Sequence, residues 1–325
     1  MVMTVQCDLC PKRCVIEPNQ SGDCRIRVNL EGKLCAVTYG FASAVHVDPV
    51  EKKPVYHYLP GTPILSLATV GCNLHCKNCQ NWEISQCNPE DSRAAFLPPA
   101  DVVALAKKQA CPSIAYTYTE PLVYYEYTLD CARLAREQGI KNVLVTAGYI
   151  NPEPLRELCR YVDAATVDVK AFSNEFYQDM CGATLKPVLD GLVLAKSCGV
   201  MVEVSNLVIP TLNDTDRDFL SLCTWLKENM GPETPLHFLR FFPHYRMRNL
   251  PPTEESTMAR AREIARAVGL HYVYVGNILL EGSATTCCPS CKKVLVRRQG
   301  FVIQENRLRD GRCPDCNREI YGLWR

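Results

Sequence analysis

Apolar, β-branched runs alternate with helix-periodic stretches from Gly61 to Gly276. The runs SLATV, SIAYTY, KNVLVTA, AATVDVK, VMVEVSNLVI and LHFLRFF have the length and side chains of buried strands. Between them DVVALAKKQA, LDCARLAREQ, EPLRELCR, KPVLDGLVLAKSC and DFLSLCTWLKE space their apolar residues as helices do. Alternation repeated about six times predicts an α/β chain whose parallel sheet has helices outside it and curls into a full or partial barrel. A flat doubly wound sheet is the second architecture that the pattern allows. Three regions follow: a cysteine-rich segment over 1–60, the α/β body over 61–280, and a small module over 284–325.

In a parallel α/β sheet the C-terminal strand ends share one rim, where ligands bind. The unusual polar residues fall just past those ends: Glu120 in TYTEP, the TAGY stretch, Asp168 and Lys170 in DVK, the 209–214 turn, and His237 and Arg240 in HFLRFFP. Singly, a Glu after a strand caps a helix and a DxK is a solvated ion pair. Together on one rim they describe a site.

Composition narrows the class. With 47% hydrophobic and 22% charged residues in 325, the chain has material for one large core and small appendages. A net charge of +1 supplies no global field toward nucleic acid or anionic lipid. The N-terminus lacks the basic and apolar regions of a signal peptide, and no apolar segment is long enough to span a bilayer, so a cytoplasmic location is expected. In such a chain 20 clustered cysteines point to metal rather than disulfides.

The clusters differ in kind. Cys288 and Cys291, then Cys313 and Cys316, form two CxxC knuckles, a closed four-thiolate shell expected to hold a structural zinc in a ribbon-like module, with Cys287 spare. Arg297, Arg298, Arg307 and Arg309 between them leave nucleic-acid binding open. Cys7, Cys10, Cys14 and Cys24 suit zinc or an iron–sulfur cluster, and spacing does not choose between the two; Cys35 is a substitute ligand. Cys72, Cys76 and Cys79, beyond the run ILSLATV, are three thiolates with no fourth at knuckle spacing. Cys87 is the candidate fourth ligand in a closed cluster; without it, one metal corner stays free for a substrate.

That C-x3-C-x2-C loop after a first strand resembles the signature of the radical S-adenosylmethionine (SAM) superfamily. The resemblance implies a partial (β/α)6 TIM-like barrel, with Cys72, Cys76 and Cys79 ligating three irons of a 4Fe-4S cluster and the SAM amino and carboxylate groups completing the fourth. Reductive cleavage of the sulfonium would then give a 5′-deoxyadenosyl radical that abstracts hydrogen from a substrate. By likeness to the pyruvate formate-lyase activating enzymes, Glu120 would meet the methionine ammonium, and Asp168 and Lys170 the ammonium and carboxylate ends. The 209–214 turn would meet adenine, and His237 or Arg240 the ribose or carboxylate. Asn78 stands where many relatives have an aromatic residue packing on adenine, and Trp82 is the candidate replacement.

LCPKRC, EKKPVYHYLPG, GCNLHCKNCQNWEISQ, YTYTEP, DVKAF, LVIPTLND, FPHY and YVYVGNI, with the terminal module, resemble together the radical SAM enzymes of the AmmeMemoRadiSam system. Membership would imply association with Memo-like and AMMECR-like proteins and a low-potential electron donor. The substrate is then a small molecule, peptide, RNA or partner protein, the last in a glycyl-radical activase. The reading of a different class is a non-catalytic, metal-stapled adaptor.

Overall fold

The structure, a computed structural model, describes residues 3–278 and 280–325. Its central sheet has eight strands: β1 Ala44–Pro49, β2 Pro63–Ala68, β3 Ser113–Tyr116, β4 Lys141–Thr146, β5 Ala164–Asp168, β6 Met201–Val208, β7 Leu236–Arg240 and β8 Val273–Gly276. From β2 to β8 each strand lies parallel to the next in chain order, while β1 runs antiparallel along β2. A doubly wound sheet reverses its strand order partway, and this one does not. Right-handed crossovers that always step the same way leave every helix on one face.

The helices are α1 Pro99–Lys108, α2 Tyr125–Glu137, α3 Pro152–Leu158, α4 Leu185–Ser197, α5 Asp216–Met230 and α6 Glu255–Val268. Thr215 and Asp218 start α5 with a reciprocal capping box. Helix α6 and strand β8 lie outside the runs picked from hydrophobic pattern. The buried positions of α6, Met258, Ala261 and Ala265, are mostly alanine among arginines, so its apolar stripe is faint.

Strand alternation divides the core. One face buries Leu65, Leu67, Ile114, Leu144, Val167, Val202, Val204 and Phe238 in the main hydrophobic cluster. The other starts apolar at the N-terminal strand ends, with Ile64, Ala115, Val143, Ala164 and Met201, and Tyr321 and Leu323 pack against that layer. The C-terminal chain is held there by backbone bonds, Leu59 N–H to Leu323 O at 2.8 Å and Leu323 N–H to His57 O at 2.7 Å, and by Val202 N–H donating to the Tyr321 hydroxyl at 2.9 Å. The terminal module therefore closes the floor of the sheet, opposite the ligand rim.

Arg298 explains the attachment. Its guanidinium is fully buried, lies 3.6 Å from the equally buried Glu51, donates to Thr286 Oγ1 at 2.9 Å and Tyr56 O at 2.6 Å, and sits 4.4 Å from the centre of the Tyr56 ring. Of the four arginines that left nucleic-acid binding open, Arg298 is thus no surface contact. Removing one member of a buried ion pair strands the other charge. Arg298→Met is expected to destabilise the protein by about 3–5 kcal/mol, measured as the shift of its urea unfolding transition.

Candidate active site

The site begins with a backbone constraint. Gly71 has φ +96°, and a Cβ there would lie 2.5 Å from Ile26 Cγ2 and 2.8 Å from the Cys24 carbonyl, so only glycine lets the N-terminal segment press against the chain just before Cys72. Beyond it the loop is gripped from outside. His75 N–H donates to Cys181 O at 2.7 Å, Lys77 N–H to Met180 O at 3.0 Å, and Arg246 N–H to Lys77 O at 3.0 Å. The His75 ring lies 2.8 Å from both Asp23 and Gln86, joining loop and N-terminal segment again. Asn81 closes the loop by donating to Tyr118 O at 2.7 Å.

Around the three thiols stand the charges of the rim. Glu120 is 2% exposed; its carboxylate accepts from Thr146 Oγ1 at 2.5 Å and from Ala147 N–H at 2.8 Å. Burial outweighs those bonds and pushes its carboxyl up to about 7. Lys170 Nζ meets Asp168 Oδ2 at 2.5 Å, and Ser205 donates to the other Asp168 oxygen. Burial works against the Lys170 ammonium, but Asp168 and the neighbouring Cys76 hold its pKa well above the usual lysine value. Glu120 in turn acts on Cys72, whose thiol is pushed up first by burial and then by that carboxylate. Three thiols, one acid and one ion pair therefore share a single desolvated region.

Several roles expected from sequence are altered. His237 does not join this group: its Nε2 lies 2.6 Å from the buried Glu203 and its ring packs edge-on against Tyr56, in the network under the site that includes His57 and Tyr274. Strand register explains this, because His237 is the second residue of β7 whereas Arg240 is the last, at the rim. Arg240 itself donates to Thr253 O at 2.7 Å. Trp82 is stacked on Tyr245, with ring centres 5.0 Å apart. Cys87 donates to its neighbour's carbonyl, Asn88 O, at 3.1 Å.

Two contributions escaped sequence reasoning. Asn213, in the 209–214 turn, donates to Lys170 O at 2.8 Å and fixes the backbone of the DxK segment. Cys181, fully buried before Gly182 at φ +63°, neighbours Cys76 and lowers that thiol's pKa. No spacing rule links residues so far apart in sequence.

The donor geometry separates the cysteine clusters. A tetrahedral zinc draws its sulfurs to about 3.8 Å from one another. Among the described residues, the one group of three or more ligand atoms lying within 4.8 Å of each other is Cys288, Cys291, Cys313 and Cys316, with sulfur contacts of 3.5 and 3.6 Å. The three loop thiols do not lie within that distance of one another. Gly71→Ala is expected to cost about 1–3 kcal/mol, measured by thermal unfolding, because the added Cβ meets Ile26 and backbone together.

Residues 66–226 match the Radical SAM superfamily. The chain is 43% identical over 318 residues to "Uncharacterized protein MJ0808" of Methanocaldococcus jannaschii, covering 97% of this chain and 95% of that one. It is 25% identical to the pyruvate formate-lyase-activating enzyme of Clostridium pasteurianum, over 48% of this chain and 66% of the relative. A radical SAM methyltransferase from Sphaerobacter thermophilus shares the fold at TM-score 0.52 and 14% identity, covering 66% of each chain. A relative alike from end to end, and a match over the sheet that carries the cysteine loop, together establish that the chain belongs to the Radical SAM superfamily and is an enzyme of that type.

Proposed function

We propose that Cys72, Cys76 and Cys79 ligate three corners of a 4Fe-4S cluster at the rim of a partial (β/α)6 barrel, leaving one iron for SAM. The carrying observation is the convergence of the three widely spaced thiols with buried Glu120 and the Asp168–Lys170 pair. When bound, cluster and SAM supply reductive cleavage of the sulfonium and a 5′-deoxyadenosyl radical for hydrogen abstraction. The protein's part is orientation and exclusion of water. Glu120 accepts from the SAM amino group, Lys170 takes its carboxylate, Asp168 completes the clamp, and Asn213 holds Lys170 in place; opposite charges fix a zwitterion in one pose. Arg240 is assigned to the outer edge of the nucleoside pocket.

The substrate reading rests on the activating-enzyme relative: a partner protein or peptide is favoured, with a glycyl-radical activase as the specific form. A low-potential donor supplies the electron, the terminal four cysteines hold zinc as a structural staple, and the working unit is cytoplasmic. Association with Memo-like and AMMECR-like proteins belongs to the same reading. The adaptor alternative falls with membership in an enzyme superfamily. No helix among the described residues is long and apolar enough to cross a membrane.

Anaerobically reconstituted, reduced protein is expected to form 5′-deoxyadenosine from SAM. Formation should disappear in the Cys72→Ala/Cys76→Ala/Cys79→Ala variant and survive in any Cys313→Ala protein that still folds; unchanged turnover in the triple variant sinks the proposal. Deuterated candidate peptides should transfer label to the product.

Glu120 sets a pH signature. Its pKa near 7 leaves it protonated in the ligand-free site below that pH, whereas the SAM amino group selects the carboxylate. Binding below pH 7 must expel the proton, so affinity should fall by up to about tenfold per pH unit more steeply in the wild type than in Glu120→Gln. Above pH 7 the two profiles should run parallel, as measured by isothermal titration calorimetry.

A further inference from the structure

The N-terminal cysteines form a second built site directly behind the first. Cys7, Cys10, Cys14 and Cys24 line one small cavity together with Arg27 and Asn73. The cavity is prepared for anionic sulfur. Asp23 N–H donates to Cys14 Sγ at 3.5 Å. Arg27, 6% exposed, spends its two terminal nitrogens on Glu126 at 2.8 and 2.9 Å, yet its Nε has no partner. Asn73, 1% exposed, donates to Tyr149 O at 2.8 Å and so places its side chain against the same cavity. Four thiols around a buried Arg27 Nε–H that has no acceptor, at the border of the catalytic loop, are what the sulfides of a buried inorganic cluster would satisfy.

The sulfur spacing chooses the metal. The C-terminal four cysteines lie within 4.8 Å of one another, as a single tetrahedral ion requires; among the described residues no three ligand atoms of the N-terminal set come that close. In this they match the three-cysteine loop. That spacing is wider than one tetrahedral ion requires and suits cysteines that each ligate a separate iron of a cubane.

The contacts choose the role. Asn73 is the residue next to Cys72, and the Cys24 carbonyl abuts Gly71 on the other side of Cys72. Each site thus touches the other through one residue of the same loop. Cys14 is half-buried, which gives an external carrier access to the outer site.

We infer that Cys7, Cys10, Cys14 and Cys24 hold a second iron–sulfur cluster rather than zinc, and that it is the entry point for the electron used at the three-cysteine loop. The relay half of this inference rests on the function proposed above; the metal half stands without it. One electron leaves a low-potential one-electron carrier of the ferredoxin or flavodoxin class, reduces the outer cluster, and passes inward, reoxidising it. No bond forms or breaks and no proton moves in that transfer.

The test uses the Cys72→Ala/Cys76→Ala/Cys79→Ala variant, whose N-terminal four are intact. After anaerobic reconstitution with iron and sulfide, and with circular dichroism matching the wild type, it should keep about four irons and four sulfides per chain against about eight of each in the wild type, plus one zinc. Dithionite reduction should give the variant an isolated cubane signal in electron paramagnetic resonance, and the doubly reduced wild type a signal broadened by spin coupling between neighbours. Iron loss with a second zinc, or loss of all N-terminal metal, overturns the assignment and leaves SAM cleavage by the wild type standing. Two unbroadened signals in the wild type overturn the relay. Conversely, a wild type that fails to cleave SAM while the triple variant keeps its four irons refutes the proposed function and not this metal site.

Discussion

Everything at the rim depends on backbone hydrogen bonds that reach the three-cysteine loop from outside it. This loop is gripped at His75 and Lys77 by the segment ending in Cys181, again at Lys77 by the chain around Arg246, and at Gly71 by the N-terminal module. Three remote parts of the chain therefore agree on one loop conformation. Such over-determination is how a scaffold keeps a reactive site within the tolerance that chemistry needs.

Charge is arranged with the same economy. Glu120, Asp168 and Lys170 are all taken largely out of water, and each is compensated locally: Glu120 by a hydroxyl and an amide, Lys170 by Asp168, Asp168 by Ser205. Burial alone would neutralise such groups. For the Asp168–Lys170 pair the preset partners keep both charges in place, whereas for Glu120 burial still prevails and raises its pKa to about 7.

The opposite end of the sheet is organised by a different logic. Glu203, His237, His57, Tyr274 and Arg298 form a continuous polar layer that ties the four-cysteine module to the floor of the sheet, with Tyr321 and Leu323 sealing the apolar part. His237, which the sequence had offered as a ligand contact, belongs to this layer. The physical origin is strand alternation: His237 lies three positions before Arg240 on β7, so the two side chains point to opposite faces of the sheet.

The features legible along the chain are local. The six apolar strand runs, the five helices between them, the three-thiol loop after the first parallel strand, the DxK pair and the paired CxxC knuckles can be read there because periodicity and short spacing express nearest-neighbour geometry. Depth and partnership come from the folded chain. It takes His237 away from the rim, pairs Arg298 with Glu51, hands Lys170 to Asn213, sets Cys181 against Cys76, and brings the first cysteines of the chain to the back of the loop beginning at Cys72. Those outcomes depend on which buried polar group finds a partner across tens or hundreds of residues. That competition is settled by packing and desolvation of the whole chain, and no local pattern records it.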